Sequence, residues 1–242
     1  MTSLTEADLA AYFDRLALEF HQERTSTGRL WNEKIERPAV LALTRGVGAG
    51  LRLLDVGCGS GIYSSLFAAK GISVTAIDIS PGMLKIAKRH CAGLPVTFCN
   101  ESFSRFQSSR PFDVVLCSFM IGYFSDLDSF MEKIEELLDP DGFAVLTMIH
   151  PVRLSAASRD DESYVLRGYF EPEFYDVVIL KDEEPIRQAK RTLSEVTEAA
   201  WRAGLVIERL LEPRPSDPPV DARTRFYHLC PSVLALRLRK TK

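Results

Sequence analysis

Apolar positions early in the chain recur at helical spacing. Leu9, Tyr12, Phe13, Leu16 and Phe20 share one face of residues 4–23, predicting an amphipathic opening helix. A polar loop with Gly28 follows, then a second helix over about 33–46, starting near Asn32 and stopped by Gly46 and Gly48. From there strand-like and helix-like patterns alternate. "LRLLDV" (51–56), "ISVTAID" (72–78), "PVTFC" (95–99), "FDVVLCS" (112–118) and "FAVLTMI" (143–149) read as five short, almost wholly apolar strands. Helices are expected over 60–70, from Pro81 behind an N-capping Ser80, and over 126–138, where Leu127, Phe130, Met131, Ile134, Leu137 and Leu138 form one face. Apolar strands alternating with helices predict an α/β fold whose mostly parallel sheet is covered on both faces.

The alternation breaks at His150–Pro151. Residues 151–191 are mixed, with strand-like pieces at "SYVLRGYF" and "FYDVVIL". Helical periodicity resumes at "TLSEVTEAAWRAG", where Thr192 and Glu195 form a capping box and Gly204 a stop. "LVIERLLE" reads as a sixth strand, "PRPSDPP" as a linker, and "FYHLCPSVLALRLR" as a last strand returning antiparallel at the sheet edge. The 242 residues suit one domain: a helical lid (1–48), a binding core (49–149), an insertion (150–191) and a closing segment (192–242).

Composition narrows the function. A net charge of -3, with only short basic groupings, argues against a nucleic-acid binder working through bulk electrostatics. The five cysteines show no C-x-x-C spacing and the four histidines no H-E-x-x-H, so neither a disulfide framework nor a metal site is expected. Without a leader-like apolar start or a membrane-length apolar run, a cytoplasmic protein is the expectation.

Candidate chemistry centres on "LLDVGCGSG". An apolar strand, a glycine-rich turn and a helix start suit a nucleotide-type ligand, because glycine lets the backbone approach it. The spacing is G-x-G-x-G, not the G-x-G-x-x-G of dinucleotide sites, and no Gly-Lys-Ser/Thr follows to make a P-loop. Asp55, just before the turn, would repel a pyrophosphate but can hold an ammonium group. Asp78, closing the second strand, can accept both hydroxyls of a ribose. A ribose-bearing, ammonium-bearing ligand without phosphate matches S-adenosylmethionine.

"LLDVGCGSG", "VTAIDIS", "PFDVVLCS" and "LLDPDGFAVLTM", in this order, resemble successive motifs of the class I S-adenosylmethionine-dependent methyltransferases. The resemblance covers roughly residues 50–149. It extends more loosely to "ERPAV" and "AGLVIERLLEPRP", which look like the small-molecule branch. It implies a Rossmann-like, seven-stranded sheet of order 3-2-1-4-5-7-6 with strand 7 antiparallel, and a cofactor across the carboxyl ends of strands 1 and 4. By that resemblance Asp55, Gly57, Gly59 and Gly61 would hold the methionine part and Asp78 the ribose. Ile79 and Met83 would flank the adenine, with Phe103 beside it and Ser102 or Glu101 at its amine. Cys117 and Ser118 would border the sulfonium.

His150, at the carboxyl end of the fifth strand, is either a buried structural residue or a base for a protonated nucleophile, since its ordinary pKa lies near working pH. Tyr12, Trp31, Tyr123 and Tyr169 are candidate acceptor contacts. The fourth strand ends in Cys117-Ser118-Phe119-Met120, not the [DN]-P-P-[YFW] of base-amine methylation, and the Asp/Asn cluster of metal-dependent catechol enzymes is lacking. The expected reaction moves a methyl group from S-adenosylmethionine to an oxygen or nitrogen of a small molecule, leaving S-adenosylhomocysteine and using no metal. A protein or RNA methyltransferase, or a regulatory cofactor binder, remains the alternative.

Overall fold

A computed structural model describes residues 5–27, 30–158, 164–171, 174–181 and 183–241; the loop position Gly28 lies outside them. The chain opens with α1 (Glu6–Gln22), whose Thr5 and Asp8 form a reciprocal capping box. Two π-helical stretches, Glu23–Thr27 and Leu30–Glu36, lead directly into α2 (Arg37–Leu43). The predicted second helix is therefore a π-to-α composite, with Pro38 near the start of its α part.

The core follows as β1 (Arg52–Val56), α3 (Ile62–Ala68), β2 (Ser73–Asp78), α4 (Pro81–His90), β3 (Val96–Asn100), β4 (Phe112–Ser118), α5 (Leu127–Leu137) and β5 (Leu138–Ile149). The PDG turn is absorbed into the start of β5, next to a register irregularity opposite β4 between Phe112 and Val114. The insertion supplies α6 (Pro151–Ser155) and two small antiparallel ladders, β6 (Ala156–Ser158) with β7 (Tyr164–Leu166) and β8 (Phe174–Val177) with β9 (Ile186–Ala189). The chain closes with α7 (Leu193–Arg202), β10 (Leu205–Leu211), α8 (Ala222–Leu229) and β11 (Val233–Lys240).

The large sheet has the order β10-β11-β5-β4-β1-β2-β3, with β1 to β5 parallel and β11 antiparallel to both neighbours. Counting only its seven strands, this is the 3-2-1-4-5-7-6 arrangement. Two readings need correction. The last strand is not at the edge: β11 inserts between β5 and β10, which is why β11 is largely buried while β10 carries exposed positions. The start of "FYHLCPSVLALRLR" is helical, because Asp221 and Thr224 form a capping box and Pro231 then separates α8 from the strand. Apolar clusters fill both faces of the sheet, one under α5 and α7 and the other under α2, α3 and α4. Among the described residues no helix is long and apolar enough to cross a membrane.

The opening helix is fastened to the core. Asp14 accepts the Gly82 N–H at 2.7 Å, in the first turn of α4, and the hydroxyl of its N-cap Ser80, so α1 contributes a second cap there. Gly82 is small for this reason: a Cβ there would meet Asp14 Oδ1 at 2.8 Å.

Candidate active site

The carboxyl ends of β1, β2 and β4 open into a cavity of about 1360 Å³ roofed by α1 and the π-helical segments. Single-ligand pockets run roughly 300–1,000 Å³, so the space exceeds that of one small ligand. Asp55, Gly57, Gly59, Asp78, Ile79, Met83, Ser102, Phe103 and Ser118 all line it, as do Trp31 and Tyr123.

The glycine turn is shaped by backbone conformation. Gly57 and Gly59 have φ of +64° and +53°, a region that side chains rarely adopt, and a Cβ on Gly57 would collide with the Met120 side chain. Asp78 braces the turn, accepting the Gly59 N–H at 2.8 Å and the Ser80 N–H at 2.9 Å. Asp55 accepts the Ser64 hydroxyl at 2.6 Å. No cation reaches either carboxylate within ion-pair distance among the described residues. Burial pushes Asp55 up to about 6 against the opposing Ser64 hydrogen bond, and the nearby Asp78 charge adds to the rise. Burial likewise raises Asp78 to about 6, against the two backbone donors.

These shifts fix a pH dependence. With folded pKa values above the unfolded ones, the two groups stabilise the ligand-free fold most at low pH, and that contribution is lost as pH rises through about 6. A ligand that hydrogen-bonds or pairs with the ionised carboxylates behaves oppositely. The stabilisation conferred by S-adenosylhomocysteine should therefore shrink as pH falls from about 7.5 to about 5. Melting curves with and without it across that range provide the check, and a constant ligand-induced shift contradicts the assignment.

Beneath the cavity lies a group that sequence reading missed. Glu36 is fully buried and accepts three hydroxyls, from Ser118 at 2.6 Å, Thr147 at 2.8 Å and Tyr63 at 2.8 Å. It thereby ties the ends of β4 and β5 to α3. Just beyond Ser118, Phe119 adopts φ of 54°, and its N–H donates to Thr147. A left-handed non-glycine residue costs of order 1–3 kcal/mol, and here the strained backbone holds a cavity-lining residue.

Other expected residues point elsewhere. Gly61 is not a lining residue: a Cβ there would sit 3.0 Å from that of Ala87, so it permits α3 and α4 to pack closely. Cys117 is buried in the apolar cluster under α5, because adjacent strand positions face opposite sides and Ser118 takes the cavity side. His150 is displaced by the same alternation, Ile149 being the lining residue. The His150 ring is 1% exposed; its Nδ1 accepts the Val152 N–H at 3.1 Å and its Nε2 lies 2.9 Å from Glu212 Oε1. Burial lowers its pKa despite Glu212. Nδ1 is thus taken up by the backbone and Nε2 faces Glu212, not the cavity, which speaks against a base and for a structural role. Tyr12 donates its hydroxyl to the Glu184 carbonyl, leaving Phe13 and Phe20 as the α1 aromatics on the cavity. Tyr169 stands outside the lining, accepting the Leu193 N–H at 3.3 Å.

A second, aromatic part of the lining is built from Trp31, Phe119, Phe226 and Tyr227. The Trp31 indole donates to the Tyr227 hydroxyl at 2.7 Å and meets its ring edge-on at 5.7 Å. Arg24 also lines the cavity but is paired with Glu33 at 3.1 Å.

Strand order, glycine turn and paired strand-end carboxylates define a Rossmann-like methyltransferase architecture. Residues 53–142 match the family model described as a methyltransferase domain. Among similar proteins, a ubiquinone biosynthesis O-methyltransferase of Caulobacter sp. (strain K31) is 34% identical over 123 residues, covering 49% of each chain. The mitochondrial protein of that description in Schizosaccharomyces pombe is 35% identical over 106 residues, 42% of this chain and 39% of its own. The chain thus spans about half, or less, of the length of these relatives. Among solved structures, an S-adenosylmethionine-dependent methyltransferase from Mesorhizobium loti superposes with TM-score 0.72 at 24% identity, over 85% of this chain and 97% of its own. The fold of the chain is that of solved S-adenosylmethionine-dependent methyltransferases, and its match to the methyltransferase domain spans the segment from β1 to the start of β5.

Proposed function

We propose that this protein transfers a methyl group from S-adenosylmethionine to an oxygen or nitrogen of a small molecule. The observation that carries the reading is the pairing of two carboxylates, the buried Asp55 and the half-buried Asp78, around a positive-φ glycine turn facing a cavity with a separate aromatic half. The residues fit the cofactor. Asp78 retains lone pairs toward the cavity for a ribose diol, Asp55 has an oxygen available for an ammonium, and Ile79, Met83 and Phe103 offer apolar walls for an adenine. The O-methyltransferase names of the sequence relatives support an oxygen acceptor.

The bound cofactor would supply an already activated methyl group. The chain's task is then to align the acceptor and exclude water. Glu36 contributes by fixing Ser118 and the β4 end beneath the junction of the two halves. Trp31 and Tyr227, locked to each other, form a rigid wall against which an acceptor is held.

Calorimetry tests the reading directly. S-adenosylmethionine and S-adenosylhomocysteine should bind, while NAD, whose pyrophosphate meets Asp55, should not bind comparably. NAD binding without an S-adenosylmethionine signal overturns it.

A further inference from the structure

Among the described residues, the acceptor half of the cavity holds a cation with no polar partner. Arg153, in α6, stacks its guanidinium 4.4 Å from the centroid of the Phe226 ring and lines the cavity beside Leu154 and Ile149. Its Nε is buried without a hydrogen-bond partner, and among the described residues no carboxylate or carbonyl reaches its guanidinium. The contrast with Arg24, held by Glu33 at 3.1 Å on the same cavity, is direct. A buried N–H without a partner is unfavourable, and a guanidinium presents a planar fork matched to a carboxylate. Beside it, the Tyr227 hydroxyl accepts from Trp31, which leaves its own proton to give.

We propose that the methyl acceptor is an aromatic carboxylic acid whose carboxylate pairs with Arg153 and whose ring lies against the Phe226, Trp31 and Phe119 surface. The charge matches a single carboxylate: one guanidinium and one hydroxyl among apolar walls would leave much of a dianionic phosphate without partners. The rings meeting edge-on at Trp31–Tyr227 and Phe226–Tyr227, with centroids 5.7 and 5.8 Å apart, favour a flat ligand over a bulky aliphatic one. Arg153 is then a specificity-determining residue that anchors the end of the acceptor remote from the methyl group. The inference rests on the methyltransferase reading and names the acceptor class for it.

The test compares 4-hydroxybenzoate, 3,4-dihydroxybenzoate and 4-hydroxycinnamate with their primary amides, by calorimetry on the full chain with and without S-adenosylhomocysteine. In the wild type at least one acid should bind about tenfold or more tightly than its amide. Arg153→Met should erase that preference, Arg153→Lys should keep part of it, and S-adenosylhomocysteine affinity should be unchanged in both. Equal binding of acids and amides, no binding of any acid at millimolar concentration, or a preference surviving Arg153→Met each overturns the proposal. Should Arg153→Met fail to fold, the wild-type comparison and Arg153→Lys decide it. Failure of S-adenosylhomocysteine to bind is a separate result, which strikes the methyltransferase reading and not the acid preference.

Discussion

Replacing Glu36 with alanine should lower stability by about 3–4 kcal/mol, the largest effect expected from any single polar residue near the site. Three hydroxyls that now donate to a buried carboxylate would lose it together, and hydrogen bonds to charged groups are worth about 1.5–3 kcal/mol each without being additive. For a chain of this size, with roughly 2–4 °C per kcal/mol, the melting temperature should fall by about 10 °C. Glu36→Gln should lie between, because the amide keeps the shape and the hydroxyls can rotate to accept from its NH₂. Scanning calorimetry of the three proteins suffices. A Glu36→Ala protein melting within about 2 °C of wild type would show that the network contributes little.

The second large effect is on ligand affinity. Asp78→Ala removes the acceptor for the Gly59 and Ser80 N–H groups as well as the one assigned to the ribose diol. The turn loses its brace while the ligand loses two hydrogen bonds, so S-adenosylhomocysteine should bind about 100-fold more weakly. Asp78→Asn should be less severe, since one carbonyl oxygen still accepts. Titration calorimetry distinguishes the cases, and an unaltered Kd in the folded Asp78→Ala protein would remove Asp78 from the site.

Much of the cofactor half was legible in the sequence because it is local. The β1 strand, Asp55, the glycines after it and the β2 end at Asp78 are set by short-range patterning, and Asp55, Gly57, Gly59 and Asp78 meet at one cavity. The acceptor half was not, because its residues are assembled from distant segments. Glu36 sits in a stretch of charged residues that reads as a solvated helix face. It is buried only because partners 27, 82 and 111 residues away in sequence converge on it. Phe226 and Tyr227 were assigned to a strand, since an apolar run near a proline-rich segment hides the Asp221 cap that makes them helical. The alternatives left open for His150 turn on side-chain direction: with Ser118 and Ile149 on the cavity, strand alternation turns Cys117 and His150 away from it.

The contact between Asp14 and the first turn of α4 has a kinetic consequence. The helix that roofs the cavity is fastened at the very turn carrying Met83, so the latch and a wall of the binding site are one mechanical part. A molecule whose exit requires α1 to lift leaves only when that latch opens. Its residence time is then governed by the rate of a helix undocking, and two ligands of quite different affinity can share nearly the same off-rate. Tight product binding and slow product release become separate properties, adjustable by substitutions at opposite ends of the same roof.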